Sequence, residues 1–193
     1  MINGHDLEFI EDGHIYLVDG VITPSVTEIM KLKFGNMYAG VDRQTLEEAA
    51  EKGTAVHEAI ERWCKYGEES PLRELRDFKF LKKKFNFEVI ENEVPVILEE
   101  DGEIIAAGRL DLVLQEGEQW GGGDIKRTAT LHKDYLTLQL NLYRIAYRQT
   151  YGIEWEFLRG LHLRDGRRRY LEIPIKEEET WDFIHEWRAK NER

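Results

Sequence analysis

Gly108-Arg109-Leu110-Asp111-Leu112-Val113-Leu114-Gln115-Glu116-Gly117-Glu118-Gln119-Trp120-Gly121-Gly122-Gly123-Asp124-Ile125-Lys126 is the stretch from which the fold is read. Apolar runs on either side of Glu116–Gln119 have the length and composition of strands, and Gly117 stands at the first central position of a two-residue type II′ turn. Counting outward from that turn puts Asp111 opposite Asp124 and Arg109 opposite Lys126. Side chains two apart share a face, so the four form one square of charges. Two opposed carboxylates repel unless one is protonated or a positive charge lies between them. Lys126 and Arg109 supply part of that charge, and a hard divalent cation would supply the rest. Two readings stay open: an ion-pair cluster at an exposed edge, and a cation site. A bulge in Gly121–Gly123 would break the register, and those glycines leave volume unfilled in the strand.

Outward from this hairpin, Val89–Leu98 and Ile104–Leu114 read as strands joined at Asp101-Gly102. Trp120–Lys126 follows, then an amphipathic helix over Asp134–Tyr151 ending at Gly152. Ile153–Leu163 and Arg168–Ile173 read as a hairpin around Asp165-Gly166, and Glu177–Lys190 as a last helix. Upstream, residues 7–23 read as a three-stranded meander. A short helix through Val26–Leu32 follows it, then longer helices over Arg43–Tyr66 and Leu72–Phe85. The order predicts one mixed α/β domain over residues 1–193: a central mixed sheet flanked by helices, with an N-terminal β-meander.

The 193 residues are 41% hydrophobic and 34% charged, a globular rather than a disordered composition. No apolar run is long enough for a membrane helix, so no membrane partner is expected. The opening MINGHDLEFIEDGH lacks the basic start and apolar run of a signal peptide, and the expected setting is the cytoplasm. One cysteine, Cys64, excludes a disulfide framework and a four-cysteine zinc or iron–sulfur site. The net charge of −11 argues against a nonspecific nucleic-acid coat protein. Yet residues 121–170 hold ten Lys/Arg against five acids, a local +5 that leaves −16 elsewhere. That excess is read either as chance clustering or as a basic face for a polyanion.

Further along, Gly53-Thr54-Ala55-Val56-His57-Glu58-Ala59-Ile60-Glu61 places His57 and Glu61 on one helix face, beside an apolar stripe. His57 alone reads as a half-buried helix histidine. Gly53, inside a helix, points to close approach of another backbone, here the sheet. Gln139 and Tyr143 are again four apart.

The ordered set of GTAVHEAIE, Glu93, GRLDLV, DIK and QLNLY resembles the PD-(D/E)XK nucleases of the RecB-type and phage lambda-type exonuclease group. The resemblance spans about His57–Tyr143, with weaker similarity at Ile22–Met30. It implies a restriction-endonuclease-like sheet. It also implies metal ligation by His57, Asp111, Asp124 and the Ile125 backbone carbonyl, with Lys126 as catalytic lysine and Glu93 as an acidic position near the metal. Gln139, Tyr143, Arg127 and Arg144 are implied as DNA contacts, with Ser25 as a phosphate contact; a plain N-cap is the alternative for Ser25. Leu110 stands where many relatives have proline, Asp124 where many have glutamate, and Gly121–Gly123 where bulky apolar residues are usual. The implied cofactor is one or two Mg²⁺ or Mn²⁺ ions, with the imidazole favouring Mn²⁺, and no iron–sulfur cluster. Nearby cations would depress the Lys126 pKa.

The implied activity is metal-dependent hydrolysis of DNA phosphodiesters, preferentially as an exonuclease of phage-type recombination or DNA repair. A structure-selective flap endonuclease and a non-catalytic nuclease-fold DNA-binding subunit are the alternatives. Linear duplex or single-stranded DNA ends are the implied partners. The resemblance extends this to a recombinase or single-strand-binding protein and to a ring-forming homo-oligomer.

Overall fold

The computed structural model describes residues 1–191. The chain opens with the meander, β1 (Leu7–Ile10), β2 (Ile15–Val18) and β3 (Val21–Thr23), paired antiparallel in that order. The single short helix expected next is instead two turns, α1 (Val26–Ile29) and α2 (Lys31–Phe34), meeting at Met30. α3 (Arg43–Tyr66) is capped by Asp42, which accepts the Thr45 N–H, and stops at Gly67 in the left-handed conformation, φ 70°. α4 (Arg73–Phe85) completes the helical segment.

The hairpin read around Gly117 organises the main sheet. β5 (Glu103–Glu116) and β6 (Gln119–Lys126) pair in the predicted register, Glu116 with Gln119 and Leu112 with Gly123. Gly117 has φ 62°, as the turn requires. The ladder stops at Leu112/Gly123, so Asp111 and Asp124 lie just beyond the last paired residues. On the other edge of β5, β4 (Phe87–Glu100) forms a long antiparallel hairpin with it. α5 (Lys133–Tyr151) is the crossover that makes β7 (Phe157–Arg164) parallel to β6. β8 (Arg167–Ile173) closes the order β4-β5-β6-β7-β8, and α6 (Glu177–Asn191) ends the described chain.

One apolar cluster joins α5 and α6 to one face of the sheet, with Leu136, Ile145 and Phe183 against Val94, Val96 and Leu158. A second joins α3 and α4 to the other face, through Val56, Ile60, Leu75 and Phe78 against Leu112, Leu114 and Ile125. The result is a mixed five-stranded α/β sheet flanked by helices, with a three-stranded meander attached through hydrogen bonding of Ala107 to Pro24. No described helix is long and apolar enough to cross a membrane.

Two expectations need correction here. The strand after α5 begins at Phe157, not Ile153, because Gly152 ends the helix with φ 72° and the chain needs residues 153–156 to turn back. Within that turn Trp155 is 1% exposed and stacks on Tyr147 at 4.7 Å. The glycine run of β6 also leaves no unfilled volume. A Cβ at Gly122 would lie 2.0 Å from Trp155 Cζ3, and one at Gly121 would lie 2.4 Å from Phe157 Cδ2. The aromatic rings occupy the space that side chains on β6 would take. Gly122→Ala is therefore expected to destabilise the fold by at least about 1–3 kcal/mol, the usual cost of overpacking. Urea unfolding measures it, and an unchanged midpoint would mean that Trp155 does not sit there.

Candidate metal centre

Five elements converge at the end of the β5–β6 ladder. α3 brings His57, which adjoins the buried Val56, so the helix face that packs on the sheet also fixes the imidazole. β4 brings Glu93 in an unusual way: it has φ 53° in mid-strand, while its neighbours Asn92 and Val94 keep their pairing with Leu112 and Leu110. A non-glycine residue there costs on the order of 1–3 kcal/mol. The twist removes Glu93 from the ladder opposite Asp111 and turns its carboxylate toward α3.

The geometry around His57 is close. Nδ1 lies 3.7 Å from Glu93 Oε1 and 3.6 Å from Asp111 Oδ1. Nε2 is 3.1 Å from the Ile125 carbonyl, and the Ile125 N–H donates to Asp111 Oδ2 at 2.7 Å. One peptide residue thus orients two side chains. Ile125 is itself anchored by its buried side chain in the α3–α4 core. His57, Glu93 and Asp111 each offer a ligand atom within 4.8 Å of the others, a group that can hold a divalent metal. A histidine whose far nitrogen donates to a carbonyl presents its near nitrogen as the donor.

This set differs from the expected one in two members. The Ile125 carbonyl accepts from His57 and so orients the imidazole. Asp124 sits deeper, 1% exposed, with its oxygens 2.9 and 2.6 Å from Lys126 Nζ, and it does not join the group of three. Glu93 takes the third place. Arg109 bonds Glu93 Oε2 at 2.7 Å and lies over the Phe9 ring, so the square of charges read from the register opens toward β4.

Electrostatics follow from this crowding. Burial lowers His57, but Asp111, Glu93 and Asp124 together outweigh it and raise its pKa to about 9. Burial is the main cause that lifts Asp124 to about 6, against the pull of Lys126. Burial also disfavours the Lys126 ammonium, yet Asp124 and Asp111 hold its pKa above the ordinary lysine value. The groups the chain supplies therefore keep Lys126 charged.

A cleft of about 610 Å³ gathers His57, Glu93, Asp111, Asp124 and Lys126 with Gln139 and Tyr143 from α5. Gln139 is 5% exposed, and its Oε1 has no hydrogen-bond partner among the described residues. Tyr143 reaches the sheet because Gly108 has no Cβ, which would stand 2.9 Å from its ring. Gly53 also lines the cleft, but no backbone approaches it: nothing lies within 4 Å of where its Cβ would be. Gly53→Ala is accordingly expected to stabilise α3, by up to about 1 kcal/mol, read from a urea unfolding curve.

Other expected contacts lie elsewhere. Ser25 is buried at the cleft wall and is an N-cap, since its hydroxyl accepts the Glu28 N–H while the Glu28 carboxylate accepts the Ser25 N–H. Arg127 is outside the cleft, bonded to Glu74 and Asp165. Arg144 is buried, bonded to the Trp155 carbonyl, Glu154 and Glu177. Both guanidiniums are thus engaged within the protein. The basic excess of 121–170 is likewise not a basic face, because seven of its ten cations form ion pairs, with partners as distant as Glu74, Asp77 and Glu116. Sequence reasoning missed Tyr135, whose ring lies 6.0 Å from Lys126 Nζ and 5.4 Å from the Phe34 ring. Its position four residues before Gln139 was the available signal. His14, Tyr16 and Thr27 of the N-terminal segment also line the cleft, with no signal in the sequence.

No protein-family model matches the chain, and no curated protein does. Among solved structures, the crystal structure of SSO0001 is similar, with a TM-score of 0.50 and 16% identity. The match covers 86% of this chain and 74% of that one. The likeness is one of fold.

Proposed function

We propose that the protein is a divalent-metal-dependent deoxyribonuclease of the PD-(D/E)XK type, working as an exonuclease on DNA ends with Mg²⁺ or Mn²⁺. The observation that carries this reading is the convergence of His57, Glu93 and Asp111 within 4.8 Å in the cleft that also holds Lys126. The donor set suits the ion: two carboxylates for a hard cation and one imidazole that favours Mn²⁺. Held there, the ion would bind the scissile phosphate and acidify a water.

The remaining work falls to side chains. Lys126, kept charged by Asp124, stabilises the extra negative charge on the phosphoryl oxygens of the transition state. Asp124 positions that ammonium. Gln139 and Tyr143 close the floor of the cleft.

Linear duplex and single-stranded DNA, end-labelled and incubated with Mn²⁺, Mg²⁺ or EDTA, tests the proposal. Metal-dependent loss of the end label with closed circles left intact is the expected result. Cutting of closed circles would assign an endonuclease instead, and no metal-dependent degradation would remove the enzymatic reading.

A further inference from the structure

Beside the cleft, α1, α2 and the start of α5 enclose a hollow of about 450 Å³ that shares His14, Ser25 and Thr27 with it. Past Phe34 and Tyr135 it continues into a second hollow of about 610 Å³. Both are lined with rings. Phe34 and Tyr135 meet edge to face at 5.4 Å, Tyr38 and His132 at 6.1 Å, and Tyr38 is 42% exposed. Tyr135 links this row to Lys126 of the cleft.

The charges point the same way. Lys31, Lys33 and Lys133 line these hollows and form no ion pair among the described residues, in a molecule whose other cations are mostly paired. Two acids also face the hollows, Asp134 and Glu28, and Glu28 is engaged with the Ser25 N–H. On the opposite side of the cleft, the groove beyond Glu93 carries Glu91 and the paired Lys65. Of the two sides of the cleft, the α2 side is therefore the one that favours a polyanion. Rings set into hollows select further: a duplex buries its base faces in its own stack, whereas an unpaired strand offers each base face to an aromatic ring.

We propose that this hollow is the track of a single DNA strand. Its bases lie against Tyr38, Phe34, His132 and Tyr135, and its phosphates lie near Lys31, Lys33 and Lys133. The proposal rests on the nuclease reading for the identity of the ligand and names its substrate as an unpaired strand.

Fluorescence anisotropy of the full chain in EDTA, with labelled oligothymidylate and a duplex of equal length, tests it. The single strand should bind at least about tenfold tighter, and Tyr38→Ala should weaken it by about tenfold, in keeping with the loss of one stacked base. Duplex binding should change less than about twofold. Tyr38→Leu, which keeps apolar bulk, should behave as Tyr38→Ala does, with thermal melts of both variants confirming the fold. Lys31→Ala with Lys133→Ala should flatten the salt dependence of single-strand binding by about 1.4 in slope, roughly 0.7 per phosphate. A strand of abasic spacers has the same charge and no bases. If it binds as well as oligothymidylate, or if duplex binds as tightly, the track is wrong. Hydrolysis of bis(p-nitrophenyl) phosphate with Mn²⁺ reads the metal chemistry without the track. Hydrolysis without single-strand preference overturns the track alone. Single-strand binding that depends on Tyr38, without any hydrolysis, supports the track and overturns the nuclease reading alone.

Discussion

Asp111→Asn is expected to lose divalent-metal binding and to slow DNA cleavage by about 10³-fold, the equivalent of the several kcal/mol an ion contributes to transition-state charge. The amide can still accept the Ile125 N–H, so the β6 backbone keeps its place. What disappears is the charge 3.6 Å from His57 Nδ1. Titration calorimetry with Mn²⁺ reads the loss directly, and unchanged affinity would move the ion to another site. The wild type carries a pH signature of the same group. His57 is raised to about 9, so its proton must leave before Nδ1 can bind an ion. Mn²⁺ affinity should then rise by about tenfold per pH unit toward pH 9. In EDTA the sign is opposite. A group raised above its unfolded value of about 6.5 stabilises fully below that pH, and the contribution fades as pH climbs through 9. Stability in EDTA should fall by on the order of 2–3 kcal/mol across that window. In His57→Ala the fall should vanish.

Lys126→Ala is expected to lower turnover by about 10²–10³-fold, the usual loss for removing one group aimed at transition-state charge. Mn²⁺ binding should persist, because His57, Glu93 and Asp111 are untouched. The variant also strips Asp124, 1% exposed, of its partner. Leaving such a charge alone costs about 3–5 kcal/mol. The carboxyl escapes part of that cost by holding its proton, so its pKa should climb further above 6. A raised acid stabilises fully below its unfolded value of about 3.8, and the contribution fades as pH climbs through the folded one. Lys126→Ala should therefore be weakest at neutral and alkaline pH and approach wild type near pH 4. Adding Asp124→Asn should restore stability at neutral pH without restoring cleavage. Wild-type cleavage by Lys126→Ala would remove the lysine from the chemistry.

The sequence by itself determined whatever rests on neighbours along the chain. Turn chemistry at Gly117, Asp101-Gly102 and Asp165-Gly166 set three hairpins, and the period of the apolar residues set the four long helices to within about one residue at each start. The β5–β6 register followed from one turn, because a side-chain period of two admits no half step. The tertiary structure decided what depends on residues far apart. Trp155 fills the glycine run of β6, the basic segment is neutralised by Glu74, Asp77 and Glu116, and Arg144 is committed to Glu154 and Glu177. It also decided which side chains stand close enough together to hold a metal ion. Glu93 enters through a left-handed backbone that no local preference favours, and Asp124 is turned toward Lys126. Residue identity and spacing could nominate these side chains, but their direction is set by packing and by desolvation, which act between elements and leave no mark on the adjacent sequence.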